Sequence, residues 1–585
     1  MKPTSNFPKA SAVAEAPKKT KKNISGAEAV ILSLLEEGVG TVFGYPGGAI
    51  MPIYDALYDY REKLNHILVR HEQGASHAAE GFARVSGEVG VCMATSGPGA
   101  TNLVTGIADA MVDSTPMVCI TGQVGKNLLG TDAFQETDVI GITMPVCKWS
   151  YQVTSAEEIP GVMAKAFYLA RSGRPGPVVV DITKNAQFET LDFEYKGCEN
   201  VRSYRPVPAP KESAIVAAAE VINNAKRPMI LAGHGILISG AQEEFLEFVE
   251  KTGIPVGSTL LGLSAFPSSH PLNMGMLGMH GNYAPNIKTN EADVILAVGM
   301  RFDDRVTGDL NTYAKQATVI HIEIDKAEIS KNVKADIPIV SDAKLALQAL
   351  LPKVDKKTYP DWVHEFEEAA KVEKARVIEG DIHPSEGKIK MAEVVNRVSE
   401  MTDGKAIVTT DVGQHQMIGA RYYKFEDTDT WVTSGGLGTM GFALPAAFGA
   451  KLGRPEKEVV AFIGDGGFQM TLQELGTIAD SEHPVKIVIL NNSFLGMVRQ
   501  WQELFFERRY SFTDIKSPDF VTIAKGYGIE SERVSERENL DEALGRMLAS
   551  DKSFLLEVVV EKEDNVFPMV PTGMCVSKVK LGKED

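Results

Sequence analysis

Val459-Val460-Ala461-Phe462-Ile463-Gly464-Asp465-Gly466-Gly467 is answered, further along the chain, by Val485-Lys486-Ile487-Val488-Ile489-Leu490-Asn491-Asn492. Each is a short apolar run that stops abruptly at residues offering oxygen ligands. Such runs, rich in Val and Ile and bounded by Gly or Asn, predict strands buried on both faces of a parallel sheet. The stretch between them reads as a turn followed by a helix over 471–481. Two parallel strands joined this way end on the same side, where open α/β sheets bind their ligands. Asp465 and Asn492 therefore meet there. A carboxylate and an amide oxygen are hard ligands of the kind Mg²⁺ takes, completing its octahedron with phosphate oxygens. Gly464, Gly466 and Gly467 let the backbone approach a diphosphate closely. Without a ligand the same residues would form two ordinary turns. Their pairing at the ends of apolar strands favours the metal–diphosphate reading.

The chain has 585 residues, 44% of them hydrophobic, enough for roughly three or four domains. Its net charge of −17 argues against nucleic acid as a main partner. The cysteines Cys92, Cys119, Cys147, Cys198 and Cys575 share no CxxC spacing, so they predict neither a zinc site nor a disulfide framework. No uninterrupted apolar run is long enough to cross a bilayer. The first residues are basic, with Lys2, Lys9, Lys18, Lys19, Lys21 and Lys22 against Glu15. Residues 1–23 are expected to form a disordered, solvated tail. Organelle targeting segments are typically rich in Arg and Ser, and the tail has no Arg, so a cytoplasmic location is expected.

Three segments alternate strand-like and helix-like patterns, which predicts an α/β protein with three doubly wound parallel-sheet domains. The first spans 24–190, with strand-like Thr41-Val42-Phe43-Gly44 and apolar runs at 89–94, 117–121 and 177–182. Residues 190–210 read as a linker. The second spans 205–352, with runs at 228–232, 294–299 and 319–324. Residues 353–384 read as a charged, partly helical connector. The third spans 385–560, with runs at 406–410, 459–463, 485–490 and 553–560. Residues 561–585 are a tail, either an ordered lid or a frayed end.

Other motifs fit the same chemistry. Arg70-His71-Glu72-Gln73-Gly74-Ala75-Ser76-His77 follows a strand-like run and places Glu72 at the start of a helix of small residues. A carboxylate is favourable at a helix N-terminus in any case. It is also what the aminopyrimidine of thiamine diphosphate needs at its ring nitrogen to shift tautomer. Glu80, about two turns on, is expected to be a helix or interface residue. Ser434-Gly435-Gly436-Leu437-Gly438-Thr439-Met440-Gly441 precedes a second helix of small residues. Such a loop lets backbone reach a flat ring, and Met440 is a polarizable wedge for the bend between two rings. Asp411-Val412-Gly413-Gln414-His415-Gln416 follows another strand and is placed to reach diphosphate oxygens. In the middle segment Arg301 and Arg305 follow a strand and suit phosphate. Asp325 follows the next, where an acid often reads ribose hydroxyls. Gly278-Met279-His280-Gly281 offers close backbone for a flavin, although the glycines do not make a GxGxxG fingerprint.

These motifs together make the chain resemble the catalytic large subunit of the acetohydroxyacid synthases (acetolactate synthases), enzymes that contain thiamine diphosphate and FAD. The resemblance covers about 24–572. Its more specific markers are Gly130-Thr131-Asp132-Ala133-Phe134-Gln135-Glu136, Arg301-Phe302-Asp303-Asp304-Arg305 and Gly496-Met497-Val498-Arg499-Gln500-Trp501. It implies decarboxylation of pyruvate and ligation to a second pyruvate or to 2-ketobutyrate. It implies a homodimer or homotetramer with active sites at the subunit interface, Glu72 coming from one chain and the Mg²⁺–diphosphate site from the other. A separate small regulatory subunit is also expected. Asp465 and Asn492 would ligate the metal by side chain, and Phe494 by its carbonyl. Gly48, Phe134, Gln135 and Lys148 would border the substrate channel, and Trp501 would shape the acceptor pocket. Val412, Gly413, Gln414, His415, Gly438, Met440, Gly466 and Gly467 would hold the thiamine cofactor. Arg174, His280, Gly281, Gly299, Arg301, Arg305, Asp325 and Asp342 would hold FAD. Gly125 stands where several relatives carry proline, which bears on inhibitor sensitivity rather than on chemistry. An oxidase of the pyruvate oxidase type also combines the two cofactors, but the Arg-Phe-Asp-Asp-Arg and Gln-Trp elements speak against it.

Overall fold

The apolar runs fold as the strands of three six-stranded sheets, each parallel throughout, in a computed structural model that describes residues 20–585. The order across the first is Asn65–Leu68, Thr41–Gly44, Gly90–Ala94, Met117–Gln123, Pro177–Thr183, Trp149–Val153. The third runs Trp431–Thr433, Ile407–Thr410, Val459–Gly464, Lys486–Asn491, Phe554–Val559, Glu530–Val534. Numbered by sequence, both read 2-1-3-4-6-5. The middle sheet differs: Asn273–Met276, Val256–Ser258, Pro228–Ala232, Val294–Val298, Thr318–Glu323, Ile337–Val340, or 3-2-1-4-5-6. That is the order of dinucleotide-binding folds, whose ligand crevice opens beside the first strand, where the order reverses. Central strands such as Met117–Gln123 and Val459–Gly464 are buried along their whole length, as strands covered by helices on both faces must be.

Five expectations are revised or resolved. Residues 1–19 lie outside the described residues, but Thr20–Ser25 is a strand, not the end of a tail. It pairs antiparallel with Thr190–Glu194, so the expected linker also begins as a strand. Leu191 and Phe193 are buried between exposed Thr190, Asp192 and Glu194, the period-two pattern of a half-buried strand. The helix expected over 471–481 starts at Asp465 instead and runs to Thr471. There Thr471 Oγ1 donates to Gly441 O at 2.9 Å, and the chain resumes as Leu475–Ala479 after a short 3₁₀ turn. The connector is a helix, Pro360–Glu373, continued by a π-helical turn, Lys374–Ile378, and anchored by Trp362 Nε1 donating to Pro228 O at 2.8 Å. The C-terminal tail is ordered. Met569, Val570, Val576 and Leu581 are buried, Met569 bridges Lys580, and Cys575 bridges Gly308 of the central domain.

The first and third domains join through two helices of small residues, Glu72–Ser86 and Ala443–Gly453. At Gly81 an added Cβ would run into the carbonyl of Ala446, and at Gly449 into that of Ala78. The helices touch backbone to backbone, which only glycine at those positions permits. Among the described residues no helix is long and apolar enough to cross a membrane.

Gly449→Val therefore overpacks this contact and is expected to destabilise the protein by about 3 kcal/mol. Gly545→Ala, at an exposed position of the Leu540–Ala549 helix with nothing within 4 Å of the new methyl, is expected to stabilise by about 0.5 kcal/mol. Thermal unfolding of the two variants reads the opposite signs directly.

Candidate active site

Strand register brings the proposed metal ligands together. Gly464 pairs with Leu490 across adjacent strands, so Asp465 and Asn492 leave the sheet at the same end. Asp465 is only 1% exposed, and burial pushes its carboxyl up to about 6. Ser517 Oγ donates to its Oδ2 at 2.7 Å. Asn492 Oδ1 accepts the Phe494 N–H at 3.1 Å, and its Nδ2 donates to Gln414 Oε1 at 3.3 Å. Asp465, Asn492 and Phe494 line one cleft of ≈ 2190 Å³. A buried carboxylate and an amide oxygen on the wall of such a cleft fit Mg²⁺ held together with phosphate oxygens.

The cleft continues over Val412, Gly413, Gln414 and His415 to Gly438, Met440, Gly466 and Gly467. Asp411, fully buried behind them, accepts the N–H groups of Val412 at 2.9 Å and Gly441 at 2.8 Å. Burial pushes its carboxyl up to about 7. His415 is driven down to about 3 by burial, and its Nε2 has no partner. An anionic diphosphate oxygen beside that nitrogen would favour a proton on it and satisfy it. Gly413 and Gly464 both pack against the His415 ring, which fixes its place.

The Gly-dense loop is held from the other domain. Asp113, the last residue of the Val104–Asp113 helix, accepts the N–H of Gly435 at 2.8 Å and of Gly436 at 2.7 Å. Arg84 Nη2 donates to the same carboxylate at 2.7 Å. One turn earlier, Asp109 accepts from Ser434 Oγ at 2.8 Å. Burial, with Glu80 and Asp113 beside it, pushes the Asp109 carboxyl up to about 8, and burial raises Glu80 as well. Sequence reasoning missed this clamp. Its signal was two acids four residues apart in an otherwise apolar helix, Val104-Thr105-Gly106-Ile107-Ala108-Asp109-Ala110-Met111-Val112-Asp113.

At its other end the cleft reaches the carboxyl edge of the central sheet. Gly299 ends the Val294–Val298 strand at φ +61° and lies against Gly235, beyond the Pro228–Ala232 strand, so the crevice floor is bare backbone. Gly299, Arg301, Arg305, His280 and Asp342 line it. His280 is buried, lowered to about 4 by that burial, and its Nδ1 has no partner. Gly281 sits in a tight turn behind His280, donating to Gly278 O at 2.9 Å. Asp342 caps the Ala343–Leu350 helix, accepting from Leu345 N at 3.2 Å. One expectation changes here. Arg174 does reach across from the first domain, but its Nη1 contacts Glu328 at 3.1 Å and Asp325 at 3.3 Å. Asp325 is thus spent on an ion pair and does not line the cleft. The acid on the wall is Glu323, the final residue of its strand, raised to about 7 by burial.

Glu72 and its neighbours stand apart from this cleft. Glu72 is 9% exposed and opens its helix, with Asn102 Nδ2 donating to its Oε2 at 3.0 Å. Gly48 is exposed, and Gln135, at φ +61°, lies against Gly97. Phe134 is 88% exposed. Lys148 does not line the cleft. Its Nζ donates to the carbonyl oxygens of Leu169 and of Ser172, the latter at 2.8 Å, closing off the Ile159–Arg171 helix. Burial lowers its ammonium to about 8.

The sequence matches known proteins over nearly the whole chain. Residues 24–142 match the model of the thiamine pyrophosphate enzyme N-terminal TPP binding domain, 215–350 the central domain, and 411–558 the C-terminal TPP binding domain. The acetolactate synthase large subunit of Corynebacterium glutamicum is 48% identical over 95% of this chain and 90% of its own length. The chain belongs to the acetolactate synthase large-subunit family of thiamine diphosphate enzymes. The isozyme 3 large subunit of Escherichia coli is 45% identical over 96% of this chain and 99% of its own. A probable large subunit from Methanocaldococcus jannaschii is 46% identical over 94% of each. The two family models for TPP binding fall on the two domains that share one strand order, and the central model falls on the domain with the dinucleotide order.

In this family member the Asp113 clamp is expected to position the cofactor loop. Asp113→Ala leaves Arg84 buried without its partner and two loop N–H groups unsatisfied, a loss of about 3–5 kcal/mol. Thermal unfolding reads that loss. Calorimetric titration with thiamine diphosphate and Mg²⁺ should show affinity at least ~10-fold weaker. Unchanged affinity would mean that Asp109 and Asp411 hold the loop without Asp113.

Proposed function

We propose that the chain decarboxylates pyruvate and ligates the two-carbon unit to a second 2-keto acid. Pyruvate as acceptor yields 2-acetolactate, and 2-ketobutyrate yields 2-aceto-2-hydroxybutyrate, the first common step of branched-chain amino acid biosynthesis. One observation carries the reading: a single cleft joins Asp465, Asn492, the Met440 loop and Trp501, in a chain 45–48% identical to proteins named acetolactate synthase large subunit.

Thiamine diphosphate, when bound, supplies a thiazolium that serves as electron sink for decarboxylation. Asp465, Asn492 and the Phe494 carbonyl would hold Mg²⁺, and His415 and the Val412–Gly413 backbone would hold the diphosphate. The Glu72 carboxyl would hold a proton at the aminopyrimidine nitrogen. FAD fits the crevice floored by Gly235 and Gly299, with Arg301 and Arg305 for its phosphates and Glu323 for ribose hydroxyls. Since the overall reaction is redox-neutral, that flavin is structural. Apolar Met497, Val498 and Trp501 line the mouth, where they exclude water and so favour ligation over protonation.

The separation of Glu72 from the cleft supports a site completed by a second chain. Tyr45, Met51, Leu68 and Phe134, from the same domain as Glu72, are exposed apolar side chains that a partner would cover. The large-subunit naming of the relatives supports a separate small regulatory chain.

Product analysis tests the reaction: the purified chain with both cofactors and Mg²⁺ should convert pyruvate to 2-acetolactate. Hydrogen peroxide in its place would favour the oxidase reading. Glu72→Gln should keep cofactor affinity but slow exchange of the cofactor C2 proton at least ~10²-fold. Co-refolded with Asp465→Ala, it should regain about a quarter of wild-type activity if each site takes Glu72 from one chain and Asp465 from the other. A site within one chain would give none.

Trp501 is half-buried on the Gly496–Phe505 helix, edge-on to Phe505 and 6.0 Å below the Arg305 guanidinium. The extra methylene of 2-ketobutyrate gains roughly 1 kcal/mol against such a wall. Trp501→Leu should lose most of the preference for 2-ketobutyrate while still releasing CO₂ from pyruvate. The ratio of the two products under competition reads it.

A further inference from the structure

One fully buried ion pair lies behind the cleft and belongs to neither cofactor loop. Arg421 Nη2 meets Glu373 Oε1 at 2.7 Å, with side chains 1% and 2% exposed. Glu373 ends the connector helix Pro360–Glu373. Its Oε1 also accepts from Asn282 Nδ2 at 3.0 Å, and its Oε2 accepts the N–H of Tyr283 at 2.7 Å. Those two residues directly follow the loop that carries Gly278 to Gly281. The other amino group of Arg421, Nη1, reaches back to the carbonyls of that loop, His280 O at 3.4 Å and Gly281 O at 3.3 Å. Arg421 itself stands in the last turn of the helix Gln414–Tyr422. The first turn of that helix presents Gln414 and His415 to the diphosphate end of the cleft, while His280 lines the dinucleotide end.

Two unpartnered nitrogens mark the ends of this chain of contacts, His280 Nδ1 and His415 Nε2, both on buried rings. The connector departs from regular helix immediately after Glu373, in the π-helical turn Lys374–Ile378. Such turns insert a residue and recur where a side chain must be held at a functional angle. A charge pair this deeply buried is costly, the more so with Arg421 Nε left without a partner, and the best-attested use of such a pair is to fix one arrangement of the elements around it.

We propose that Glu373 and Arg421 form a positioning pair that couples the two cofactor sites, so that a dinucleotide in the central crevice tightens binding of thiamine diphosphate and the reverse. The inference rests on the cofactor assignment proposed above. A ligand against His280 orders the 278–281 loop. Arg421 is fixed by that loop and by Glu373, so the His415 helix is ordered at the same time. The second ligand then meets a site whose ordering cost has already been met. Linkage requires the same factor in both directions.

The test uses the full chain stripped of both cofactors. The affinity for thiamine diphosphate with Mg²⁺ is measured by calorimetry with and without saturating FAD. The affinity for FAD is measured by flavin fluorescence with and without thiamine diphosphate. The wild type should show a coupling factor of roughly tenfold, equal in both directions. Glu373→Gln keeps the acceptor for Tyr283 but removes the charge, and its coupling factor should fall to about one, with each separate affinity changed by less than about threefold. If that variant does not fold, Arg421→Lys keeps a buried ion pair and removes only the fork that reaches His280 and Gly281, with the same loss expected. Glu368→Gln, on the same connector helix but in an exposed pair with Lys371, should leave the coupling unchanged. Tight FAD binding with a wild-type factor of one, or undiminished coupling in both Glu373→Gln and Arg421→Lys, overturns the coupling. No FAD binding at all overturns the flavin assignment itself.

Discussion

The contact on which the rest depends is the one between the Glu72–Ser86 and Ala443–Gly453 helices. Gly81 and Gly449 allow the two backbones to meet with no side chain between them. At that distance the Asp113 carboxylate can reach the N–H groups of Gly435 and Gly436, and Arg84 can reach the Thr433 carbonyl at 2.6 Å. The cofactor loop is thus shaped by a different domain from the one it belongs to. A larger residue at either glycine would open the interface and leave buried polar groups unpaired, which costs more than the lost packing alone.

Burial sets the chemistry of the site as much as proximity does. Asp411, Asp465 and Glu323 all have carboxyls pushed up by desolvation, and His280 and His415 are pushed down. Arginines at one end of the cleft and the buried Asp465 carboxylate at the other suit the two phosphate-bearing ligands proposed for it. Two of the buried polar groups left without protein partners, His280 Nδ1 and His415 Nε2, belong to residues lining these two ends.

Most strands legible in the sequence were central ones, although the edge strand Asn65–Leu68 was read in part and the short interior strand Val256–Ser258 was not. Runs such as 117–121, 228–232, 294–299 and 459–463 are covered on both faces, so they must be apolar throughout and stand out. Trp149–Val153, Trp431–Thr433, Glu530–Val534 and Ile337–Val340 were not read, and each is an edge strand. An edge strand is less enclosed and tolerates residues such as those of Glu530-Ser531-Glu532-Arg533. The strand Thr190–Glu194 did carry a period-two signal, hidden by the prolines that follow it. Residues 465–471 read as a turn because glycine is a poor helix former, yet Asp465 at the first position and tertiary packing carry the helix.

The sequence by itself marked the candidate site: Asp465, Asn492, Glu72 and the glycine loop are local motifs, and local motifs survive in one dimension. It also determined that the chain holds three α/β units, because apolar strands alternating with helices admit little else. Only the tertiary structure decided that the first and third units share one strand order and that the middle unit has the dinucleotide order, since order across a sheet is a matter of which distant strands pair. It alone decided that Glu323 rather than Asp325 faces the crevice, because a strand's last residue cannot be fixed from sequence to better than a position or two. It alone revealed the Asp113 clamp and the Glu373–Arg421 pair, whose partners lie far apart along the chain and meet only when the domains close on one another.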